Sequence, residues 1–261
     1  MNKFLVVCFF FLPSLLFAQN IEVSGRVNGI WEADTVFVSD HIFISPGEKL
    51  EVMPGTFVQF RGPYRFMVSG ELKACGNPTD TIFFCINDTT GFANKSNAEG
   101  GWNGIRFINI EEDADSSLLD YCSFSYGKAV NESDTSFDFG GAIYAQGFDK
   151  IRISHCRFFK NYARRNGGGV YLYSCDAVIS NNTFENNDCG SPDPPYGYGG
   201  ALSMDYSESI TGWNTFNNNA SSGIGGALSL RFKDAEIHHN IFKNNYSALG
   251  GAIGRSEERR V

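Results

Sequence analysis

Residues 199–219 read GGALSMDYSESITGWNTFNNN: a Gly-Gly pair, a small residue, an aliphatic one and, 17 residues after the first glycine, the triplet-spaced pair Phe216 and Asn219. The phrase recurs through the second half of the chain. Gly-Gly pairs begin at Gly140, Gly167, Gly199, Gly225 and Gly250, spaced 27, 32, 26 and 25 residues apart. The first four lead to Phe158, Phe184, Phe216 and Phe242 after 18, 17, 17 and 17 residues, each with an asparagine three residues on. The long spacing holds an insertion, CGSPDPPYGY (residues 189–198), and Cys122-Ser-Phe124 is a degenerate earlier copy. Self-similarity at a fixed period is the mark of a repeat architecture.

Inside each repeat the apolar residues alternate. Ile143 and Ala145, Val170 and Leu172, Leu202 and Met204, Leu228 and Leu230 are each two apart, as are Ile151 and Ile153, and Ala177 and Ile179. That is strand periodicity. A repeat of this length holds three short strands and their turns, which is one coil of a parallel β-helix; successive coils stack at about 4.8 Å. Gly-Gly then supplies the positive φ of a tight corner and room for close stacking. The aliphatic pairs face the core, and Phe124, Phe158, Phe184, Phe216 and Phe242 form an interior aromatic stack. Two residues before each Phe stands Cys122, Cys156, Asn182, Asn214 or Asn240. Asparagines in such a row bond amide to amide from coil to coil.

The first half alternates less regularly (Val36 and Val38, Ile42 and Ile44, Leu50 and Val52, Val58 and Phe60), with turn signals between the runs. It reads as opening coils of the same solenoid; a β-sandwich cap is the alternative. INDTTGFANKSNAEGGWNG is a lateral loop. The N-terminus has Lys3, an apolar run from Phe4 to Phe17 and Ala18, the pattern of a signal peptide. The expected organisation is a leader at 1–19, irregular coils at 20–135, regular repeats at 136–254 and a separate tail at 255–261. A net charge of −8 leaves no electrostatic footprint for nucleic acid.

Export permits disulfides. Cys75, Cys85, Cys122, Cys156, Cys175 and Cys189 remain after the leader, six residues with 15 possible pairings. Cys122 and Cys156, one coil apart, suit either a disulfide or two small apolar fillers. Cys175 with Cys189 would staple the insertion.

The paired Gly-Gly-Ala-(Ile/Leu/Val) and Phe-x-x-Asn repeats resemble those of polymorphic outer membrane proteins. More broadly they are similar to exported right-handed β-helix repeat proteins of the pectate-lyase-like superfamily. The likeness covers residues 140–253 well and the first half loosely. It implies an all-β chain folded as a right-handed, single-stranded parallel β-helix, about 25–27 residues per coil in the second half, located outside the cell or at its outer membrane or surface. It does not fix an activity, because lyases, hydrolases and adhesins share the fold.

Lyase-type helices use a basic residue, often with Ca²⁺ held by clustered Asp; glycoside hydrolases use paired carboxylates. No acidic cluster repeats across neighbouring coils here. The acidic run IEEDADSS (residues 110–117) is the one candidate for Ca²⁺, but it lacks the spacing of a known loop and reads as a solvated turn. His155 and His239 share a repeat position and read as solvent-facing strand residues. No cofactor is expected. The remaining candidate is the outer face of the first strand, where Tyr144 and Gln146, Tyr171 and Tyr173, Ser203 and Asp205, Ser229 and Arg231 form two outward rows. Tyr144, Tyr171, Tyr173, Asp205 and Arg231 are the glycan-binding candidates, with a polysaccharide or surface glycan as partner. The expected function is a non-catalytic adhesive or binding scaffold; a polysaccharide lyase or hydrolase, and a stalk carrying a further domain, are the alternatives.

The phrase that opens at Gly250 breaks off after Ile253. Arg255–Val261 reads RSEERRV, the translation of AGATCGGAAGAGCGTCGTGTA, a common sequencing-adapter string. The expectation is that these residues are not native, that the solenoid is cut short, and that any outer-membrane part lies beyond.

Overall fold

The computed structural model describes residues 19–112, 114–131, 134–191 and 196–256. Residues 1–18 of the expected leader and 257–261 of the expected tail lie outside them.

The coil that begins at Ile143 shows the plan. Ile143–Gln146 lies on a first face, Ile151–Ser154 on a second and Arg157–Phe159 on a third. A two-residue strand, Tyr162–Ala163, then bridges to the next Gly-Gly pair. The three expected strands are thus joined by a short fourth. Each strand pairs in parallel with its counterpart one coil on, and repeat positions align: Ile143 with Val170, Val170 with Leu202, Leu202 with Leu228. The second face runs in coil order from Gly29–Trp31 to Glu236–His238. The first and third faces meet in one long strand, Thr35–Ile44, whose residues 35–38 pair on the third face and 42–44 on the first.

The interior follows from this register. Phe124, Phe158, Phe184, Phe216 and Phe242 stack in one column at centroid spacings of 5.0, 4.6, 4.8 and 4.9 Å, close to the coil rise. The column continues backwards through Phe84, 5.0 Å from Phe124. Such spacing leaves no room for water, so buried amides must bond to each other. Asn182 Nδ2 donates to Asn214 Oδ1 at 3.1 Å, and Asn214 Nδ2 to Asn240 Oδ1 at 3.0 Å. The Phe-x-x-Asn asparagines make a second ladder: Asn161 to Asn187, Asn187 to Asn219 and Asn219 to Asn245, at 2.9, 2.9 and 3.0 Å. Each also donates to a carbonyl one coil back, as Asn187 does to Phe158 at 3.0 Å.

From Gly104 onward each coil turns four corners through left-handed residues. In the coil from Gly140 these are Gly140, Gly147, His155 and Lys160, with φ of 58°, 64°, 50° and 52°. Only the first demands glycine in every repeat. A Cβ on Gly167 would strike the Val170 carbonyl, and one on Gly168 would strike the carbonyl of Gly200 in the next coil. The other corners take residues as different as Gly, Ser, Lys, Asn, His, Trp, Tyr and Phe. His155 and His239 are therefore corner residues, not the strand residues their spacing suggested.

The lateral loop at 87–101 is stitched to the coils by cations. The buried Lys128 ammonium donates to carbonyls of Gly91, Asn94 and Glu99 at 3.2, 2.9 and 2.6 Å. Lys95 pairs with Asp188, and Arg164 reaches the Ser96 carbonyl at 2.8 Å.

Asn187→Ala leaves the amides and carbonyl of two neighbouring coils unpaired. It should cost about 2–4 kcal/mol in denaturant unfolding. Lys160→Gly, at an exposed left-handed corner, should change stability by less than about 1 kcal/mol in the same assay.

Candidate binding cleft

The five candidate residues share the first face in the expected register. Tyr144 lies beside Tyr171, Tyr173 beside Asp205, and Asp205 beside Arg231. They do not form an open ladder. Two segments outside the repeat fold back across the sheet. Phe139, just before the Gly140 corner, stacks on Tyr171 at 4.8 Å and leans on Tyr144 at 6.3 Å. The insertion brings the Tyr198 ring within 4.7 Å of the Arg231 guanidinium. Tyr144, Tyr171 and Asp205 are consequently buried, at 9%, 4% and 2% exposure. Ser203 and Ser229 are buried with them. Tyr173 stays exposed and Arg231 half-buried.

What stays open is a cleft of about 290 Å³. Its floor is a closed polar unit. Asp205 accepts from Arg231 through both Nε, at 2.7 Å, and Nη2, and takes the Tyr171 hydroxyl at 2.7 Å. Burial pulls the Arg231 pKa down, but the hydrogen bonds and charge of Asp205 outweigh it and hold the value above the ordinary one. Burial first, and Asp205 second, push Tyr171 well above the usual phenol range. Tyr144 is raised to about 12, chiefly by burial. Both phenols are neutral hydroxyls, so neither serves as a ready base.

The rim is aromatic. Tyr173, Tyr196 and Tyr206 expose their rings; Tyr206 stacks on Phe232 at 4.4 Å, and Tyr173 meets Tyr206 edge-on at 5.6 Å. Tyr206 and Phe232 sit at left-handed corners, with φ of 54° and 74°. Sequence reasoning missed both, although they share one repeat position directly after the first-face strand. The insertion reads in the sequence as a protruding loop able to flank a groove, but its Tyr196 and Tyr198, which line the cleft, were not singled out.

Arg165 completes the cleft. It is half-buried, with its guanidinium 5.6 Å from the Phe139 ring. Among the described residues that guanidinium makes no hydrogen bond. The nearby carboxylate is Asp138, fully buried, whose charge is shared with Arg164, Arg165 and Arg106. Arg106 is itself buried, donates to the Gly140 carbonyl at 2.5 Å, and has its pKa pulled down to about 9 by burial.

The other sequence candidates fall elsewhere. All six cysteines are free thiols. Cys175 packs in the main core, its Sγ 3.3 Å from the Phe148 amide, whereas Cys189 packs with Ala129 and Ala163 behind the fourth strand. The staple between them is therefore excluded by their placement on different walls. Cys122 and Cys156 stand in the asparagine row, and the Cys156 sulfur takes the Cys122 amide at 3.4 Å. Cys75 is exposed and Cys85 half-buried. In the acidic run, Asp113 lies outside the described residues. Lys150 holds the Glu112 and Ala114 carbonyls at 3.2 and 2.8 Å, so a cation already occupies the turn's oxygens. No group of three or more His, Cys, Asp or Glu among the described residues is arranged for a metal ion.

Residues 109–256 match the family model described as right-handed beta helix region. A stretch of 90 residues is 31% identical to Protein bark beetle of Drosophila melanogaster; it spans 34% of this chain and 3% of that protein. No solved structure matches the chain significantly.

The floor pair carries a stability signature. Asp205→Ala strands a half-buried guanidinium and the Tyr171 hydroxyl, and should cost on the order of 3 kcal/mol in chemical unfolding. Tyr173→Ala, on the exposed rim, should leave the unfolding midpoint nearly unchanged.

Proposed function

Because the chain belongs to the right-handed β-helix family, we propose that it is an exported, cell-surface binding protein that holds a glycan in the first-face cleft without cleaving it. The observation that carries this reading is the exposed tyrosine rim around a mutually hydrogen-bonded Asp205–Arg231 pair. Tyrosine rings offer flat apolar faces to sugar rings, with hydroxyls at the edge for hydrogen bonds. A carboxylate that already accepts three hydrogen bonds from an arginine and a phenol is a weak base and carries no proton to give to a glycosidic bond. Glycoside cleavage asks instead for two carboxyl groups facing each other across the sugar, and among the described residues Asp205 is the one carboxylate lining this cleft. Arg231 is neutralised within the pair, which leaves Arg165 as the spare positive charge. The favoured ligand is therefore a glycan bearing a carboxylate or sulfate.

A panel of neutral, uronate-containing and sulfated oligosaccharides tests this by calorimetry, with analysis for new reducing or unsaturated ends. Binding should occur without cleavage; release of ends would overturn the non-catalytic reading. Tyr173→Ala and Tyr206→Ala should each weaken binding by about tenfold. Arg165→Met should remove the preference for charged sugars and flatten the salt dependence. Binding that survives Tyr173→Ala and Tyr206→Ala together would place the ligand elsewhere.

A further inference from the structure

At the corner between the second and third faces, His238 and His239 turn their Nδ1 atoms toward each other, 3.0 Å apart. His238 closes the strand Glu236–His238, and His239 takes the left-handed corner with φ 52°. Both rings are seated by the preceding coil. The His238 imidazole fills the space that a Cβ on Gly212 would occupy, and Trp213 covers one face of His239 with ring centroids 4.1 Å apart. The Glu236 carboxylate lies 3.9 Å from Nε2 of His238. A negative charge on that side favours the tautomer with its proton on Nε2, so that the Nδ1 lone pair of His238 accepts from Nδ1–H of His239, the proton that a metal ion bound between them would displace.

Two nitrogens bound to one first-row metal at about 2.05 Å lie roughly 2.9 Å apart when they subtend a right angle, and roughly 3.3 Å apart at the tetrahedral angle. The observed separation fits the right angle. We propose that His238 and His239 form a bidentate site for a divalent d-block cation of tetragonal preference, binding Cu(II) more tightly than Ni(II) and Ni(II) more tightly than Zn(II). Cu(II) and Ni(II) favour right-angled nitrogen pairs, and Cu(II) stands highest in the general affinity order. Water would fill the remaining positions, since among the described residues no third His, Cys, Asp or Glu completes a metal-binding group with the two Nδ1 atoms. The site is separate from the first-face cleft and does not depend on the glycan reading.

The neighbouring indole provides the readout. Trp31 and Trp102 are buried at 4% and 0% exposure, whereas Trp213 is 59% exposed and stacked on a proposed ligand. The experiment titrates Cu(II) chloride into metal-free protein in a non-coordinating buffer, in a Cys75→Ser background so that the exposed thiol does not compete. Tryptophan emission should be quenched and saturate at one ion per chain, and the electron paramagnetic resonance spectrum should be tetragonal with coupling to two nitrogens. His238→Gln and His239→Gln should each weaken binding by more than about tenfold, with circular dichroism unchanged. Trp213→Phe should abolish most of the quenching and keep the two-nitrogen spectrum, which separates ligation from fluorescence. Three results would overturn the proposal: no saturable binding, equal binding by the His238→Gln/His239→Gln double variant, or Zn(II) binding as tightly as Cu(II).

Discussion

Each coil has to satisfy its inward polar groups with the coil directly above and below it. That constraint comes from the strand spacing of about 4.8 Å, which admits no water between coils. It makes every interior position a question about its own repeat. An amide whose oxygen accepts from one coil and whose nitrogen donates to the next can be repeated without limit, and Asn161, Asn187 and Asn219 do this. A flat ring can be stacked without limit, and the phenylalanine column does so. Aspartate could not, since like charges would sit one coil apart. The repeat is thus a list of the residues that are complementary to themselves.

Function in such a molecule arises where the repeat is interrupted. The first face would present an open, repetitive surface if the coils were all there were. Instead Phe139 and, from the insertion, Tyr196 and Tyr198 lie over it, and their aromatic side chains convert a flat sheet into a cleft. The loop at 87–101 is held down by Lys128 through three carbonyls that a hydrophobic residue would leave unpaired. The interruptions are as firmly built as the coils, and they use charge where the coils use repetition.

This division decides what was legible in the sequence. Strand period, coil length, the aromatic column and the Cys122 to Asn240 row were readable because each is a local pattern written several times over. The first face was readable from Ile143 and Ala145 alone, since alternation sends Tyr144 outward. Whether Tyr144 then meets water was not readable. Its burial depends on Phe139, a residue outside the repeat, and no periodicity places it. The fourth strand escaped notice because two residues cannot show a period. The histidines were misplaced for a related reason: counting back from Phe gives a position in the repeat, not a backbone conformation.

The corners connect these observations. A left-handed conformation costs an ordinary residue roughly 1–2 kcal/mol, and the third-face corner largely avoids this with Asn186, Asn218 and Asn244. The other two solvent-facing corners do so only at Asn109 and Gly147 in one row and Asn181 in the other. Tyr206 and Phe232 stand in one row, and Tyr121, His155, Trp213 and His239 in the other, where Gly or Asn would be less strained. Bulky side chains at positive φ persist only where the surroundings hold them. Here the holding force is stacking with the next coil: Tyr206 on Phe232, Tyr121 on His155, Trp213 on His239. The same aromatic self-complementarity that fills the interior therefore also stabilises strained rings on the outside. It places them at the cleft rim and beside the histidine pair, the two surfaces where the chain departs from what a structural solenoid requires.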